Sequence, residues 1–328
     1  MPLLMIKKCL VTGAAGFIGS HLTDALLLRG YTVVGLDNMS LGRQINLAKA
    51  RAHPNFRLIE VDLNDLDACR KIIGIETQSG LFAMAWHLAA NSDIRAGVAD
   101  SDVDLRDTFL TTYNTLKLLR EFKIPRIAFA STSAIYGVQP GLLVEDMGPL
   151  FPISNYGAMK LAGEAAISAA LESFLEQAWI FRFPNVVGSR ATHGAIYDFL
   201  AKLRKTPDVL EVLGDGSQEK PYLHVSELVE AMLFIYDQAQ DKLNFYNIAP
   251  EQGVTTVRKI AETVVSLAAP QARIRYTGGT RGWVGDVPKF RYCTTKLKTL
   301  GWTPRLTSDA AVELAVRENL INPAETNA

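Results

Sequence analysis

Near its start the chain reads Val11-Thr-Gly-Ala-Ala-Gly-Phe-Ile-Gly-Ser-His-Leu22, a glycine-punctuated turn between an apolar run at 7–12 and an amphipathic helical pattern at 18–29. A strand, this turn and a helix form a unit built to hold a pyrophosphate. Gly13 allows the tight turn, Gly16 lets backbone approach a ligand with no side chain in the way, and Gly19 lets the helix pack close to the strand. The helix then faces the anion with unpaired N–H groups and its positive dipole end. Strand–helix packing alone would also use glycine, but a second apolar run at 31–36 ends in Asp37, where a ribose-binding acid is expected. Gly13, Gly16, Phe17, Ile18 and Gly19 are therefore cofactor-binding candidates, and the cofactor is a dinucleotide.

Apolar, β-branched runs at 7–12, 32–36, 56–61, 83–88, 126–130 and 179–183 alternate with helical patterns at 18–29, 104–122 and 156–174. That alternation predicts right-handed βαβ units around a buried parallel sheet, an α/β fold of the doubly wound Rossmann type. Ligands of such sheets sit beyond the carboxyl ends of the strands. Past residue 184 the alternation weakens. Helical patterns at 197–205, 226–239 and 309–319 are separated by glycine turns, and the segment at 277–286, with Gly278, Gly279, Gly282 and Gly285, reads as a loop over a ligand. The expected organisation is a NAD-binding Rossmann domain at 1–184 and a smaller C-terminal α/β substrate-binding region at 185–328, with elements free to interleave.

Composition sets limits on partners. Lysine plus arginine and aspartate plus glutamate both total 34, so no overall field attracts nucleic acid or an anionic membrane. Cys9, Cys69 and Cys293 are far apart and suggest neither a zinc site nor a disulfide framework. No segment reads as a signal sequence or a membrane span, and the expected location is the cytoplasm. His21, His53, His87, His193 and His224 show no metal-ligand spacing and read as structural.

At the end of the second strand, Asp37 would accept hydrogen bonds from ribose hydroxyls and repel a 2′-phosphate, which favours NAD over NADP, with Asn38 beside it. Asp62 and Leu63 follow the third strand and suit the adenine; an N-cap for a helix at 64–72 is an equally natural use of Asp62. Leu88, Ala89 and Ala90 end the fourth strand in small residues, where a flat cofactor can lie against the backbone. Tyr156 and Lys160 are spaced i, i+4, so they share one helix face. A phenol is a poor base near neutrality, but a nearby ammonium favours the phenolate. The expectation is that Lys160 brings Tyr156 toward the range of efficient acid–base work. A hydroxyl from Ser131-Thr132-Ser133 can then hold the substrate oxygen as it changes between alcohol and ketone.

Taken together, Thr12-Gly-Ala-Ala-Gly-Phe-Ile-Gly19, Asp37-Asn38, Ser131-Thr-Ser-Ala-Ile-Tyr-Gly137 and Tyr156-Gly-Ala-Met-Lys160 resemble the extended short-chain dehydrogenase/reductase family, and within it the nucleotide-sugar epimerases. Phe181-Arg-Phe-Pro-Asn-Val-Val-Gly188, Gly214-Asp-Gly-Ser-Gln218, His224-Val225 and Gly285-Asp286 extend the resemblance over nearly the whole chain. The resemblance implies that Thr132 is the catalytic hydroxyl, Tyr156 the base and Lys160 its partner, with Tyr156 and Lys160 also touching NAD. It implies Ser133, Asn185, Lys220 and Arg281 as substrate contacts for a nucleotide sugar, and a homodimer built on the helices at 104–122 and 154–174. This chain departs from its relatives at Lys220-Pro221, where many carry arginine and aspartate, and lysine is a point charge rather than a fork. Thr111 stands where relatives often have asparagine. Ala134 replaces the acid that dehydratases use to eliminate water, which points to simple oxidation at C4. The rival readings are a reductase or dehydrogenase with net hydride transfer, and a non-catalytic dinucleotide sensor.

Overall fold

Six strands fall on the six apolar runs: β1 (Lys8–Thr12), β2 (Thr32–Asp37), β3 (Phe56–Glu60), β4 (Phe82–His87), β5 (Arg126–Thr132) and β6 (Gln177–Phe183). A seventh, β7 (Leu243–Asn247), completes the sheet, in the order β7-β6-β5-β4-β1-β2-β3. The structure, a computed structural model, describes residues 7–250, 253–279, 287 and 289–321. β1 pairs in parallel with both β2 and β4, so the chain doubles back across the sheet after β3. This reversal opens the crevice at which doubly wound sheets bind nucleotides. β1 is buried along its whole length, as a strand covered on both faces must be. Leu10, Leu36, Ile73, Leu119, Phe129, Ile167 and Ile180 belong to one apolar core built on the sheet.

Two compact units emerge, and they alternate along the chain rather than meeting at one boundary. One comprises Met1–Thr132, Asn155–Phe181 and Ala239–Phe245; the other comprises Ser133–Ser154, Arg182–Gln238 and Tyr246–Ala328. The late return of 239–245 to the first unit follows from β7, a short strand whose pairing partner lies more than fifty residues earlier. In the second unit Asn185–Val187 pairs in parallel with Tyr222–His224, and Val209–Val212 with Arg273–Tyr276. The helices Ala195–Lys205, Val257–Ala268 and Ser308–Ile321 supply Phe199, Leu203, Ile260, Val264, Val312 and Val316 to its core.

Two expected elements differ from the structure. The helix expected at 104–122 is interrupted: a helical turn at Ser101–Asp104 runs into a π-helical turn at Leu105–Leu110, and a regular α-helix begins only at Thr111 and ends at Glu121. Asp62 is not a helix cap. The helix is Leu66–Gln78, and its N-cap is Asp65, whose carboxylate accepts from the Ala68 N–H. Among the described residues no helix is long and apolar enough to cross a membrane, and no cluster of His, Cys, Asp or Glu could hold a metal.

Candidate active site

The glycine turn leaves β1 and enters the helix Phe17–Leu28. Gly13 has φ +70, and a Cβ there would lie 2.8 Å from the Ala89 nitrogen. A Cβ on Gly19 would lie 2.0 Å from the Gly13 carbonyl oxygen, so helix and turn touch backbone to backbone. Gly16 is the N-cap and offers no side chain, leaving the first-turn N–H groups to an outside acceptor. Phe17 and Ile18 are half-buried in that first turn.

Asp37 ends β2 almost fully buried. Its carboxylate accepts from the Ala15 and Met39 N–H groups, both at 2.9 Å, and from Gly16. Burial nonetheless pushes its pKa above the ordinary carboxylate value. Asn38 accepts from the Ser40 hydroxyl at 2.7 Å and donates to Asp62 at 3.3 Å. These two positions therefore meet beyond the ends of β2 and β3. Leu63 is buried, and its carbonyl accepts from Asn114. The N–H groups of Leu88 and Ala89 bond the Thr12 carbonyl and hydroxyl, which holds 88–90 beside the glycine turn.

Thr132 is the last residue of β5, and its hydroxyl is hydrogen-bonded with the Tyr156 phenol. Tyr156 lies in the first turn of Asn155–Leu171, with Lys160 one turn on. Lys160 is only 2% exposed. Its ammonium donates to the Ala130 carbonyl at 2.7 Å, and Nζ stands 4.7 Å from the Phe129 ring centroid and 5.9 Å from that of Tyr156. The three residues expected to react are thus assembled in one unit with the glycine turn and Asp37.

Their electrostatics correct one expectation. Burial raises the Tyr156 phenol above its usual value, an effect that Asp104 adds to and the Thr132 hydrogen bond opposes. Burial also lowers Lys160 to about 7, against the pull of Glu164. In the protein alone, desolvation outweighs the ammonium's stabilisation of a phenolate, because both groups are removed from water together. Sequence reasoning missed Glu164, which lies one further turn along the Lys160 face, is buried, and accepts from the Ser131 hydroxyl. The i, i+4 spacing from Lys160 was the available signal.

In the second unit Ser133 opens a tight turn, Ser133–Tyr136, whose Tyr136 ring packs edge-on against that of Tyr292, a phenol that burial pushes well above its usual pKa. That turn is anchored by Arg182, which donates to the Tyr136 hydroxyl at 3.0 Å and to the Glu145 carbonyl. Tyr136 in turn donates to Asn247 at 2.7 Å. None of Tyr292, Glu145 or Asn247 carried a sequence signal, since each joins through a contact distant along the chain. Asn185 is exposed, and the parallel register sets it opposite Tyr222, two residues after Lys220. Lys220 is buried in the strand Glu219–Lys220, which pairs with Thr255–Thr256. Arg281 and Gly285-Asp286 lie outside the described residues.

A cradle that Cβ atoms would fill, an open helix N-terminus and a buried acid at the end of β2 fit a dinucleotide. Comparison with known proteins agrees. Residues 9–249 match the model of the NAD dependent epimerase/dehydratase family. A UDP-glucose 4-epimerase of Mycolicibacterium smegmatis is 28% identical over 304 residues, covering 91% of this chain and 94% of that protein. A UDP-N-acetyl-alpha-D-glucosaminuronate decarboxylase of Bacillus cytotoxicus is 28% identical over 316 residues, covering 90% and 92%. The crystal structure of a Thermus thermophilus UDP-glucose 4-epimerase in complex with NAD superposes with a TM-score of 0.81 at 28% identity, covering 95% of this chain and 98% of that one. With a matching fold, cradle and sequence, the chain belongs to the NAD-dependent epimerase/dehydratase family and uses NAD as its cofactor.

Proposed function

We propose that the protein is a nucleotide-sugar 4-epimerase, acting on a UDP-hexose or a related nucleotide sugar. The observation that carries this reading is the hydrogen bond between Thr132 and Tyr156, with the Lys160 ammonium buried beside them on the same helix. When bound, NAD would supply the hydride acceptor and donor that interconverts the sugar alcohol and a 4-keto sugar, with return to the other face giving the epimer. Gly13, Gly16, Phe17, Ile18 and Gly19 would hold its pyrophosphate, Asp37 and Asn38 its ribose, Asp62 and Leu63 its adenine, and Leu88, Ala89 and Ala90 would flank it. Tyr156, once its own proton has left, takes the proton from the C4 hydroxyl and gives it back when the ketone is reduced. Thr132 holds the same oxygen through both states, and Lys160 keeps a positive charge near the phenol as it ionises. Ser133, Asn185, Lys220 and Arg281 are assigned to the nucleotide sugar.

Ala134 favours epimerisation over dehydration, because an alanine in the turn after Thr132 cannot move a proton. A homodimer and a cytoplasmic location complete the reading. Leu105, Leu110 and Tyr113 are exposed around the start of the helix Thr111–Glu121, which packs against Asn155–Leu171, and that apolar surface suits a second copy. The test is to incubate the protein with UDP-glucose, UDP-N-acetylglucosamine and UDP-glucuronate and to look for C4 epimers with no net change in nicotinamide absorbance. Tyr156→Phe abolishes conversion while leaving the folded protein intact. Net cofactor consumption would establish a dehydrogenase instead, and loss of carbon dioxide from the uronate a decarboxylase.

A further inference from the structure

Asp104 is completely buried, although nothing in the sequence singles it out. Its Oδ1 accepts from the Asn91 side-chain amide at 2.8 Å, and the Thr108 hydroxyl donates to the same carboxyl. Among the described residues no cation pairs with it. The charged groups that act on it are Asp93 and Asp107, both acids, and the Arg106 guanidinium is occupied by Asp107. An acid so placed is not a stability device, since two hydrogen bonds only partly offset the cost of burying a carboxylate.

Its surroundings lead to the Tyr156 helix. A Cβ on Gly97 would lie 1.7 Å from Asp104 Oδ2, so the carboxyl packs directly on the Gly97 backbone. The Gly97 carbonyl accepts at 2.9 Å from the side-chain amide of Asn155, the residue before Tyr156. The elements Ile94–Ala99, Ser101–Asp104 and the π-helical turn Leu105–Leu110 all pack against Asn155–Leu171. Widening the helix at Leu105–Leu110 is the kind of local insertion that re-aims one side chain, and Asp104 is the residue immediately before it.

We propose that Asp104 is a positioning residue for Tyr156, an acid held against the first turn of the catalytic helix to set the charge around the phenol. This rests on reading Tyr156 as the group that moves the proton. Lys160, on the helix of Tyr156, is the opposing cation, and it is itself faced by Glu164. His87, on β4, is buried and neutral and adds no charge. Asp104 is the anion whose charge reaches the phenol and holds its proton on. Between Lys160 and Asp104 the phenol is a stronger base than the lysine alone would make it, and it rests protonated.

The test uses the full-length protein with NAD bound. Ionisation of Tyr156 is followed as the ultraviolet phenolate absorbance that the unaltered protein shows and Tyr156→Phe lacks. In Asp104→Asn the midpoint moves to lower pH by about one unit, a tenfold change in proton concentration. Asp104→Glu keeps the original midpoint. A midpoint that stays in place in Asp104→Asn overturns the proposal. Should Asp104→Asn not fold, Asp104→Ser removes the same charge with a smaller side chain and moves the midpoint in the same downward direction; an unmoved midpoint is again decisive against the role. No sugar is turned over in this titration, so its outcome is separate from the epimerisation assay.

Discussion

At the scale of single residues, burial sets the chemistry of the titratable groups more than their neighbours do. His87 shows this most directly. Thr112 donates its hydroxyl proton to the Thr108 carbonyl, so it accepts from His87 Nε2–H at 3.0 Å, and Thr12 donates to Nδ1 at 2.7 Å. This arrangement has no place for a second ring proton, and burial lowers His87 from 6.5 to about 3. The unfolded chain therefore binds one more proton than the folded chain between those two values. The contribution of His87 to stability is complete above pH 6.5 and is lost as pH falls toward 3. By this group alone, stability drops by about 2 kcal/mol between pH 7 and pH 5. Urea unfolding at the two pH values should show a smaller drop in His87→Gln than in the unaltered protein; equal drops would mean that the imidazole is not held neutral. Lys160 obeys the same sign over a higher window, since its folded value is about 7 against an ordinary 10.5. The sequence shows that Tyr156 and Lys160 share a face, because i, i+4 spacing is local. It does not show that desolvation dominates them, because that depends on Phe129 and Ala130 from another element.

At the scale of elements, legibility follows how local each cause is. The packing of the glycine turn was readable, since its glycines answer contacts within a few residues or across one adjacent strand. Gly19→Ala tests that reading. Its methyl would meet the Gly13 carbonyl oxygen, which is backbone and cannot rotate away, so the helix must move off the turn. The expected cost is about 1–3 kcal/mol of stability by overpacking, with NAD binding weakened as well. Thermal unfolding and a cofactor titration measure the two effects, and an unchanged affinity would count against the close backbone approach. The strands β1 to β6 were equally legible as buried apolar runs. β7 was not, because Leu243–Asn247 alternates buried with half-buried positions and takes its place only by pairing with a distant strand. The interruption of the helix at Leu105–Leu110 also escaped the sequence, whose apolar pattern continues through it. The interruption coincides with a buried cluster in which Asn91, from the loop after β4, bonds both Asp104 and Thr108, contacts that no local pattern announces.

At the scale of the whole molecule, the two compact units make different demands on a ligand. The cradle, Asp37, Tyr156 and Lys160 all belong to the unit that contains most of the sheet, whereas Ser133, Asn185 and Lys220 belong to the other. A ligand that binds only folded protein stabilises what it binds by mass action, about 2.7 kcal/mol at a hundredfold excess over its dissociation constant. NAD alone should therefore raise the unfolding temperature of the sheet-bearing unit. NADP should raise it far less on the proposed assignment of the buried Asp37 carboxyl to the ribose, since that charge would repel the extra phosphate. Calorimetry with each dinucleotide, followed by UDP-glucose added to the NAD complex, separates these contributions. If the alternation of segments along the chain makes unfolding cooperative, a single transition moves with NAD and moves again with the nucleotide sugar. If each unit melts alone, NAD shifts one transition and leaves the other in place. Equal stabilisation by NADP and NAD would remove the discriminating role from Asp37 and return the choice of cofactor to the loop that follows β2, where Arg43 is the nearby cation.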